Sequence, residues 1–170
     1  GRIHLCMTWN YETDGKSAGD FNKEGATVDT RRVYYTYSDD DGKTWQPAKE
    51  ITATTKLSNW GWYATGPCHG IILKKGAHKG RIIIPCDHNE KGGSGYSHVI
   101  YSDDKGKTWQ IGGRIKGGNE SCAEELEDGT IVDSKTSALL SAPAALLLNA
   151  LKHLAGISDD LVLISPSIIE

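Results

Sequence analysis

SDDDGKTW over residues 38–45 returns as SDDKGKTW over residues 102–109. Each copy follows a run of β-branched and aromatic residues, which is typical of a strand. Serine and aspartate side chains accept hydrogen bonds from nearby backbone amides in tight turns, and glycine supplies positive φ without steric cost. Because chance does not readily produce two full copies of such a turn, the repeat predicts an architecture of recurring hairpins.

The two octets resemble the Asp-box of sialidases and other β-propellers. The resemblance implies a structural role on blade hairpins, and we expect the tryptophans to fold back against the sheet. Glycosidase or Ca²⁺ chemistry is the alternative for the aspartates, but a calcium loop needs more ligands and a terminal Glu. The residues that we assign to this structural role are Ser38, Asp40, Gly42, Trp45, Ser102, Asp104, Gly106 and Trp109.

Length and charge narrow the classes of protein that fit. The chain has 170 residues and a formal net charge of −3, with no basic stripe that would predict a nucleic-acid partner. No apolar run is long enough to span a bilayer, so membrane insertion is not expected. The chain begins at Gly1, within a predicted strand and without an initiator methionine, which we interpret as a sign of a fragment.

The cysteines and histidines do not match a metal motif. Cys6, Cys86 and Cys122 lie within or beside strand-like segments and are interpreted as small buried hydrophobes. Disulfides stay open as an alternative, with a pairing that the sequence does not define. Histidines recur every nine or ten residues over residues 69–98, which fits no zinc spacing. We therefore assign no metal and no cofactor.

Several polar residues stand where strands begin or end. Alternation over residues 2–9 predicts a half-buried strand, and Arg31-Arg32 is interpreted as a solvated strand entrance, with anion binding as the alternative. Asp87 and His88 follow a buried strand that ends at a proline, so they indicate either a binding edge or an ordinary loop. Glu120 lies where a glycine-rich loop enters a strand, and it indicates either a catalytic base or an ordinary exposed carboxylate.

Three further stretches resemble the exo-α-sialidases (neuraminidases, glycoside hydrolase family 33). They read YATGPCHGI over residues 63–71, GRIIIP over 80–85, and NES over 119–121 with DGT over 128–130. Their order and their interleaving with the octets also match, and the resemblance covers about residues 1–133. Cys68 departs from it, since many members carry a second glycine there.

The resemblance implies an all-β fold, a partial β-propeller of about two to three blades out of six. It implies release of terminal sialic acids with retention of configuration through a Tyr nucleophile, for which Glu120 takes the proton. It also implies a sialylated glycan as partner, and a secreted or periplasmic location for the full-length protein. The residues matching loops that line the family's pocket are Trp60, Trp62, Tyr63, Asp87 and His88.

The matching stretch lacks most of the family's catalytic residues. Asp133-Ser134-Lys135 stands where the family's second Arg should follow, and the Tyr has no counterpart. We therefore expect the chain alone to be inactive as a sialidase, with the missing blades supplied by the full-length protein. The alternatives are a non-catalytic Asp-box propeller fragment in glycan binding or assembly, and a chimera.

The last 37 residues have a sequence pattern that differs from the rest of the chain. We predict a boundary at 133/134, followed by a foreign α/β segment over 134–170 with a helix over 142–155 and a strand over 161–164. Ser141 is the expected N-cap, and Leu147, Leu151 and Leu154 form one apolar face. The segment resembles part of a family of uncharacterised bacterial proteins, from which no function follows. Natural insertion, fusion and assembly artefact stay open.

Overall fold

The computed structural model describes residues 1–10, 31–66, 68–90 and 94–164. These residues are mostly β-structure and contain ten strands and two helices. The strands are β1 (Ile3–Trp9), β2 (Arg32–Ser38), β3 (Lys49–Glu50), β4 (Trp60–Thr65), β5 (Ile71–Ile72), β6 (Ile82–Glu90), β7 (Gly95–Ser102), β8 (Gln110–Lys116), β9 (Ser121–Glu125) and β10 (Ile131–Lys135). The helices are α1 (Thr52–Thr55) and α2 (Ala142–Leu154).

The described strands form three antiparallel sheets that follow one another along the chain. The first has the order β1-β2-β3, the second β4-β6-β7-β8 with β5 also paired to β6, and the third pairs β9 with β10. Most paired strands are consecutive along the chain, as antiparallel pairing allows, although a long connection separates β1 from β2 and β4 pairs with β6. These sheets do not close a propeller within the described residues.

The two octets adopt the same turn, one after β2 and the other after β7. In each, the first serine donates to the aspartate two residues on (Oγ to Oδ1, 2.8 Å) and accepts from the glycine amide (2.8 Å). The amide and hydroxyl of the threonine donate to that same carboxylate. The tryptophan indole donates to the glycine carbonyl at 3.1 Å, which closes the turn.

An arginine directly before the neighbouring strand forms an ion pair with each turn. Arg2 donates to both carboxylate oxygens of Asp39, at 2.7 and 2.9 Å, and its guanidinium lies over Tyr37. Arg81 does the same with Asp103 and the ring of Tyr101. The repeat therefore extends beyond the octet to a bidentate ion pair stacked on an aromatic ring.

The main core joins the first two sheets through aromatic side chains. Trp60 is fully buried and stacks on His88, with ring centroids 3.4 Å apart. Tyr35 of the first sheet packs against Trp109 of the second octet at 5.1 Å. Trp109 is therefore sealed into the core, whereas Trp45 in the first octet stays 42% exposed.

β1 forms as the alternating pattern predicts, but its apolar side faces outward. Ile3, Leu5 and Trp9 are 41–44% exposed. The opposite side carries His4 and Cys6; His4 Nδ1 lies 2.7 Å from the hydroxyl of Tyr35, and Cys6 packs against the main core. Alternation defines two faces but does not tell which one the neighbouring sheet covers.

α2 presents its apolar face to solvent rather than to the sheet. Leu147, Leu151 and Leu154 are 62, 51 and 71% exposed. Polar contacts join the helix to the β9–β10 hairpin: Asn149 Nδ2 donates to the Asp133 carbonyl at 2.7 Å, and His153 Nε2 lies 3.0 Å from Asp128 Oδ2.

Residues 161–164 are not a strand, which corrects the prediction for this segment. The amide of Leu161 donates to the Ser158 carbonyl in a turn, and Leu161, Val162 and Leu163 are exposed. An apolar run of four forms a strand only where a sheet edge accepts it, and no described strand pairs with this run. The N-cap residue Ser141 also makes no side-chain capping hydrogen bond.

Cys68 and Cys122 form a disulfide between Cα atoms 5.6 Å apart. It ties the loop between β4 and β5 to β9, and so joins the second sheet to the third. The interpretation of Cys122 as a plain buried hydrophobe is therefore wrong, because it is bonded as well as buried. Cys6 and Cys86 keep free thiols.

Reduction of this disulfide should lower the free energy of unfolding. The bond closes a loop between residues 54 positions apart, and the chain-entropy relation gives a loss of roughly 4 kcal/mol for a loop of that length. Urea unfolding with and without a reductant measures the loss. The double variant C68A/C122A is the control, since reductant should not change it further. Equal stability of oxidised and reduced wild type would contradict the expectation.

The imidazoles of His88 and His98 pair in the core, with their Nδ1 atoms 2.9 Å apart. Burial lowers the pKa of His88 from 6.5 to about 3, and burial also lowers the pKa of His98 well below 6.5. Their Nε2 atoms find no hydrogen-bond partner in the part of the chain that the structure describes. Protonating either ring therefore places an unsolvated charge in the core.

The contribution of this histidine pair to the free energy of unfolding should depend on pH. Both folded-state pKa values lie below the ordinary 6.5, so the unfolded chain binds more protons below that pH. The contribution is full above pH 6.5 and falls as the pH drops towards about 3. In the folded protein, the imidazole NMR shifts of both residues should remain those of the neutral ring down to pH 5. In denaturing urea, they should follow a titration with a pKa near 6.5. Titration near 6.5 in the folded state would contradict the prediction.

Candidate functional site

Three predicted site residues come together where β4 and β6 run beside the loop before β9. Asp87 pairs with Ala64 in the ladder of β4 and β6. A shift of register between Trp60 and Tyr63 interrupts the same ladder. Trp60 turns into the core and Trp62 reaches Asp87 beside this irregularity, a re-aiming of side chains that is typical of bulges. β6 continues through Pro85 to Glu90, so the prediction that Asp87 and His88 lie beyond the end of this strand is wrong. We call Arg31, Trp62, Asp87 and Glu120 the strand-end cluster, because Arg31 directly precedes β2 and Glu120 directly precedes β9.

The contacts within the strand-end cluster are close and directional. The indole Nε1 of Trp62 donates to Asp87 Oδ2 at 3.0 Å. The guanidinium carbon of Arg31 lies 3.8 Å from the centroid of the Trp62 ring, and its Nη1 donates to Thr8 Oγ1 at 3.4 Å. A cation, an aromatic ring and a carboxylate are thus arranged in series, which holds the orientation of Trp62.

The environment of Asp87 favours its neutral form. Its side chain is 5% exposed, and burial raises its pKa to about 6. This value also includes the negative charge of Glu120, which raises the pKa, and the hydrogen bond from Trp62 and the charge of Arg31, which lower it. A carboxyl group with a pKa near 6 changes its ionisation close to neutral pH, so it can donate or accept a proton there.

Glu120 is exposed and is fixed by its backbone rather than by its side chain. Its carbonyl accepts from the Thr136 amide at 2.8 Å, and the carbonyl of Asn119 accepts from Ser97 Oγ at 2.6 Å. Gly118 lies so close to Ser97 that a Cβ there would clash. The loop therefore holds Glu120 beside Asp87 while leaving its carboxylate in solvent.

The other predicted site residues lie in the core. Trp60, Tyr63 and His88 are each fully buried, and desolvation raises the pKa of Tyr63 well above 10. Their rings pack on one another and on His98, with centroids 3.4–6.0 Å apart. Their assignment to ligand binding stays a prediction. Their packing in the core holds the irregular part of β4 that carries Trp62.

Two residues of this region had weaker signals in the sequence. Arg31 was interpreted as a solvated strand entrance, but it is half-buried and stacked on Trp62. His98 has no motif around it, and the β6–β7 hairpin brings it to His88. The spacing of ten residues between the two histidines is the signal for their contact in the sequence, and the β6–β7 hairpin accounts for that spacing.

The described residues offer no group of three or more His, Cys, Asp or Glu side chains that could hold a metal ion. The strand-end cluster has two carboxylates and an arginine, which is a donor set for hydrogen-bonding ligands rather than for a cation. Of the described helices, neither is long and apolar enough to cross a bilayer.

The chain is similar in fold to parts of solved sialidases. The Hadza microbial sialidase Hz136 is similar over 82% of this chain and 27% of its own, with a TM-score of 0.70 and 24% identity. A Trypanosoma rangeli sialidase is similar over 79% of this chain and 23% of its own, with a TM-score of 0.60 and 17% identity. At these identities, the likeness shows the fold alone.

A third structure is the intramolecular trans-sialidase from Ruminococcus gnavus, solved with oseltamivir carboxylate. It is 27% identical, with a TM-score of 0.53, over 63% of this chain and 22% of its own. The chain thus spans about a quarter of these structures.

Sequence families give a different relationship. Residues 110–170 match a family model described as a domain of unknown function, DUF1846, C-terminal. The UPF0371 protein cu0538 of Corynebacterium urealyticum is 60% identical over 53 residues, and the UPF0371 protein CD630_08980 of Clostridioides difficile is 58% identical over 55 residues. Each match covers 31% of this chain and 11% of the relative, so the chain spans about a tenth of these proteins.

These matches overturn the sialidase interpretation of the sequence. No model of glycoside hydrolase family 33 matches the chain, and its curated relatives are UPF0371 proteins. The stretches that resemble sialidases form turns and strands, and a shared fold does not imply a shared activity. Release of sialic acid is therefore not assigned to this chain, and Glu120 carries no catalytic role from that family.

Two conservative variants should move the pKa of Asp87 in opposite directions. W62F removes the indole donor that favours the charged carboxylate, so the pKa should rise above about 6. E120Q removes a negative charge, so the pKa should fall. Carboxyl ¹³C NMR shifts across pH 4 to 8 measure both changes.

E127Q is the matched control for this pair of variants. It removes an exposed carboxylate beyond the far end of β9, so the pKa of Asp87 should not change. A shift of the same sign in W62F and E120Q would contradict the assignment of causes.

Proposed function

We propose that the described sheets are part of a β-propeller, with the first two as blades and the β9–β10 hairpin as the start of a third. Their order along the chain, their short hairpins and the two Asp-box turns support this proposal. β10 runs to Lys135, so this part would extend two residues past the predicted boundary at 133/134, and the residues that follow would form a separate segment. The missing blades would come from the full-length protein.

We further propose that the strand-end cluster binds a hydroxyl-bearing ligand of the carbohydrate class. The observation that carries this proposal is the buried carboxyl of Asp87, which is oriented by Trp62 and has a pKa of about 6. A carboxyl in this state can donate to a ligand hydroxyl when neutral and accept from it when charged. Carbohydrates offer both kinds of partner at neighbouring positions.

The remaining members of the cluster suit such a ligand. Glu120 offers an exposed acceptor beside Asp87, and Arg31 contributes a positive charge next to the Trp62 ring. Few, well-placed polar groups around an aromatic side chain are typical of small-molecule sites. The proposal concerns binding by the described cluster, while a sialylated glycan as the partner stays a prediction.

Calorimetric titration with a panel of saccharides tests the proposal. The panel includes a neutral disaccharide, an amino sugar and a sialyl-lactose, each at pH 5 and pH 7.5. At least one should bind, with an affinity that differs between the two pH values because Asp87 changes its ionisation between them. D87N should weaken that binding about tenfold, the loss expected for a buried hydrogen bond to a charged group.

E127Q serves as the control here too, because it removes a carboxylate from the far end of the β9–β10 hairpin. Its affinity should equal that of the wild type. The proposal fails if no saccharide binds, or if D87N and E127Q have the same effect.

A further inference from the structure

A cavity lies at the opposite end of β2 from the strand-end cluster. Its volume is about 390 Å³, within the range of small-molecule sites. It opens between the first sheet and the second Asp-box turn, and Tyr35 and Tyr37 are among the residues that line it.

The charge around this cavity is one-sided. Four of its lining residues are basic: Arg2, Lys49, Lys105 and Lys107. Among the described residues that line it, none carries a carboxylate. Arg2 shares its charge with Asp39 outside the lining, so the three lysines dominate the local field.

The walls of the cavity are fixed by close packing. Tyr35 is 4% exposed and lies against Gly106, where a Cβ would clash with its hydroxyl. The guanidinium of Arg2 lies 3.8 Å from the centroid of the Tyr37 ring. Lys49 Nζ donates to the carbonyl of Lys107 at 3.1 Å, which holds this ammonium at the rim. These basic groups therefore converge on one formed concavity rather than being scattered.

The two octets differ at one position, and that position lies on this cavity. The first octet has Asp41 where the second has Lys105. Both residues have the same left-handed backbone, with φ of 58° and 62°. The turn itself therefore accepts either residue, and its geometry does not require the lysine. In the second octet the change replaces a negative charge by a positive one beside two other lysines.

We propose that this cavity binds a small molecule that bears a phosphate or sulfate group. Three ammonium groups can each donate several hydrogen bonds to an oxyanion, and the tyrosines in the lining offer contacts to the rest of the ligand. The site is independent of the strand-end cluster and does not depend on the function proposed for it.

Backbone amide NMR during titration with inorganic pyrophosphate, and separately with sulfate, tests the proposal at physiological ionic strength. The amides of Lys105, Gly106 and Lys107 should show saturable shifts with at least one of the two anions. K105D should weaken the affinity about tenfold, because it reverses a charge at the rim. Its thermal stability should match the wild type, because aspartate occupies the same backbone geometry in the first octet.

K43D is the matched control. Lys43 holds in the first octet the position of Lys107 in the second and does not line the cavity. K43D changes the net charge by the same amount as K105D, and its affinity should remain within about twofold of the wild type because solvent and salt screen distant charges. The proposal is overturned if neither anion gives saturable shifts, or if K43D and K105D weaken binding equally.

Discussion

The carboxylate of Asp104 holds the turn on which the second sheet depends. It accepts from Ser102 Oγ and from both the amide and the hydroxyl of Thr108, and these bonds lower its pKa to about 2. The turn follows β7 and ends at Trp109, which seals the core against Tyr35. Because β7 pairs with β6, the geometry of this turn is linked to the strand that carries Asp87. Asp40 holds the first turn in the same way.

The strand-end cluster and the aromatic core are two sides of the same pair of strands. Trp60 and His88 stack inside, while Trp62 and Asp87 meet on the other side of the irregularity in β4. The same burial that raises the pKa of Asp87 lowers that of His88, since low polarity disfavours any charged form. Lowering the pH therefore neutralises Asp87 at a small cost in free energy, whereas protonating the buried histidine pair has a large cost in free energy.

The sequence predicts the elements that rest on local chemistry and misses those that rest on tertiary partners. The two octet turns follow from residues at most seven positions apart, so their hydrogen bonds could be anticipated. The outward face of β1 and the outward leucines of α2 could not, because periodicity defines a face without naming its neighbour. The pairing of Cys68 with Cys122 and the stacking of Arg31 on Trp62 join distant parts of the chain. The sialidase resemblance anticipated the mostly β structure with antiparallel sheets but not the family, because fold does not imply function.

The order of the sheets has a consequence for how the chain folds. Many of its contacts join parts of the chain that are far apart in the sequence: β1 and β2 pair across the long connection between Trp9 and Arg32, and β4 pairs with β6 rather than with β5. Closing such loops costs conformational entropy before the contacts form, so topologies of this kind fold slowly. The β6–β7 and β9–β10 hairpins close shorter loops. These hairpins would therefore form before the first sheet, and the disulfide, which joins residues 54 positions apart, would form once the second and third sheets are in contact.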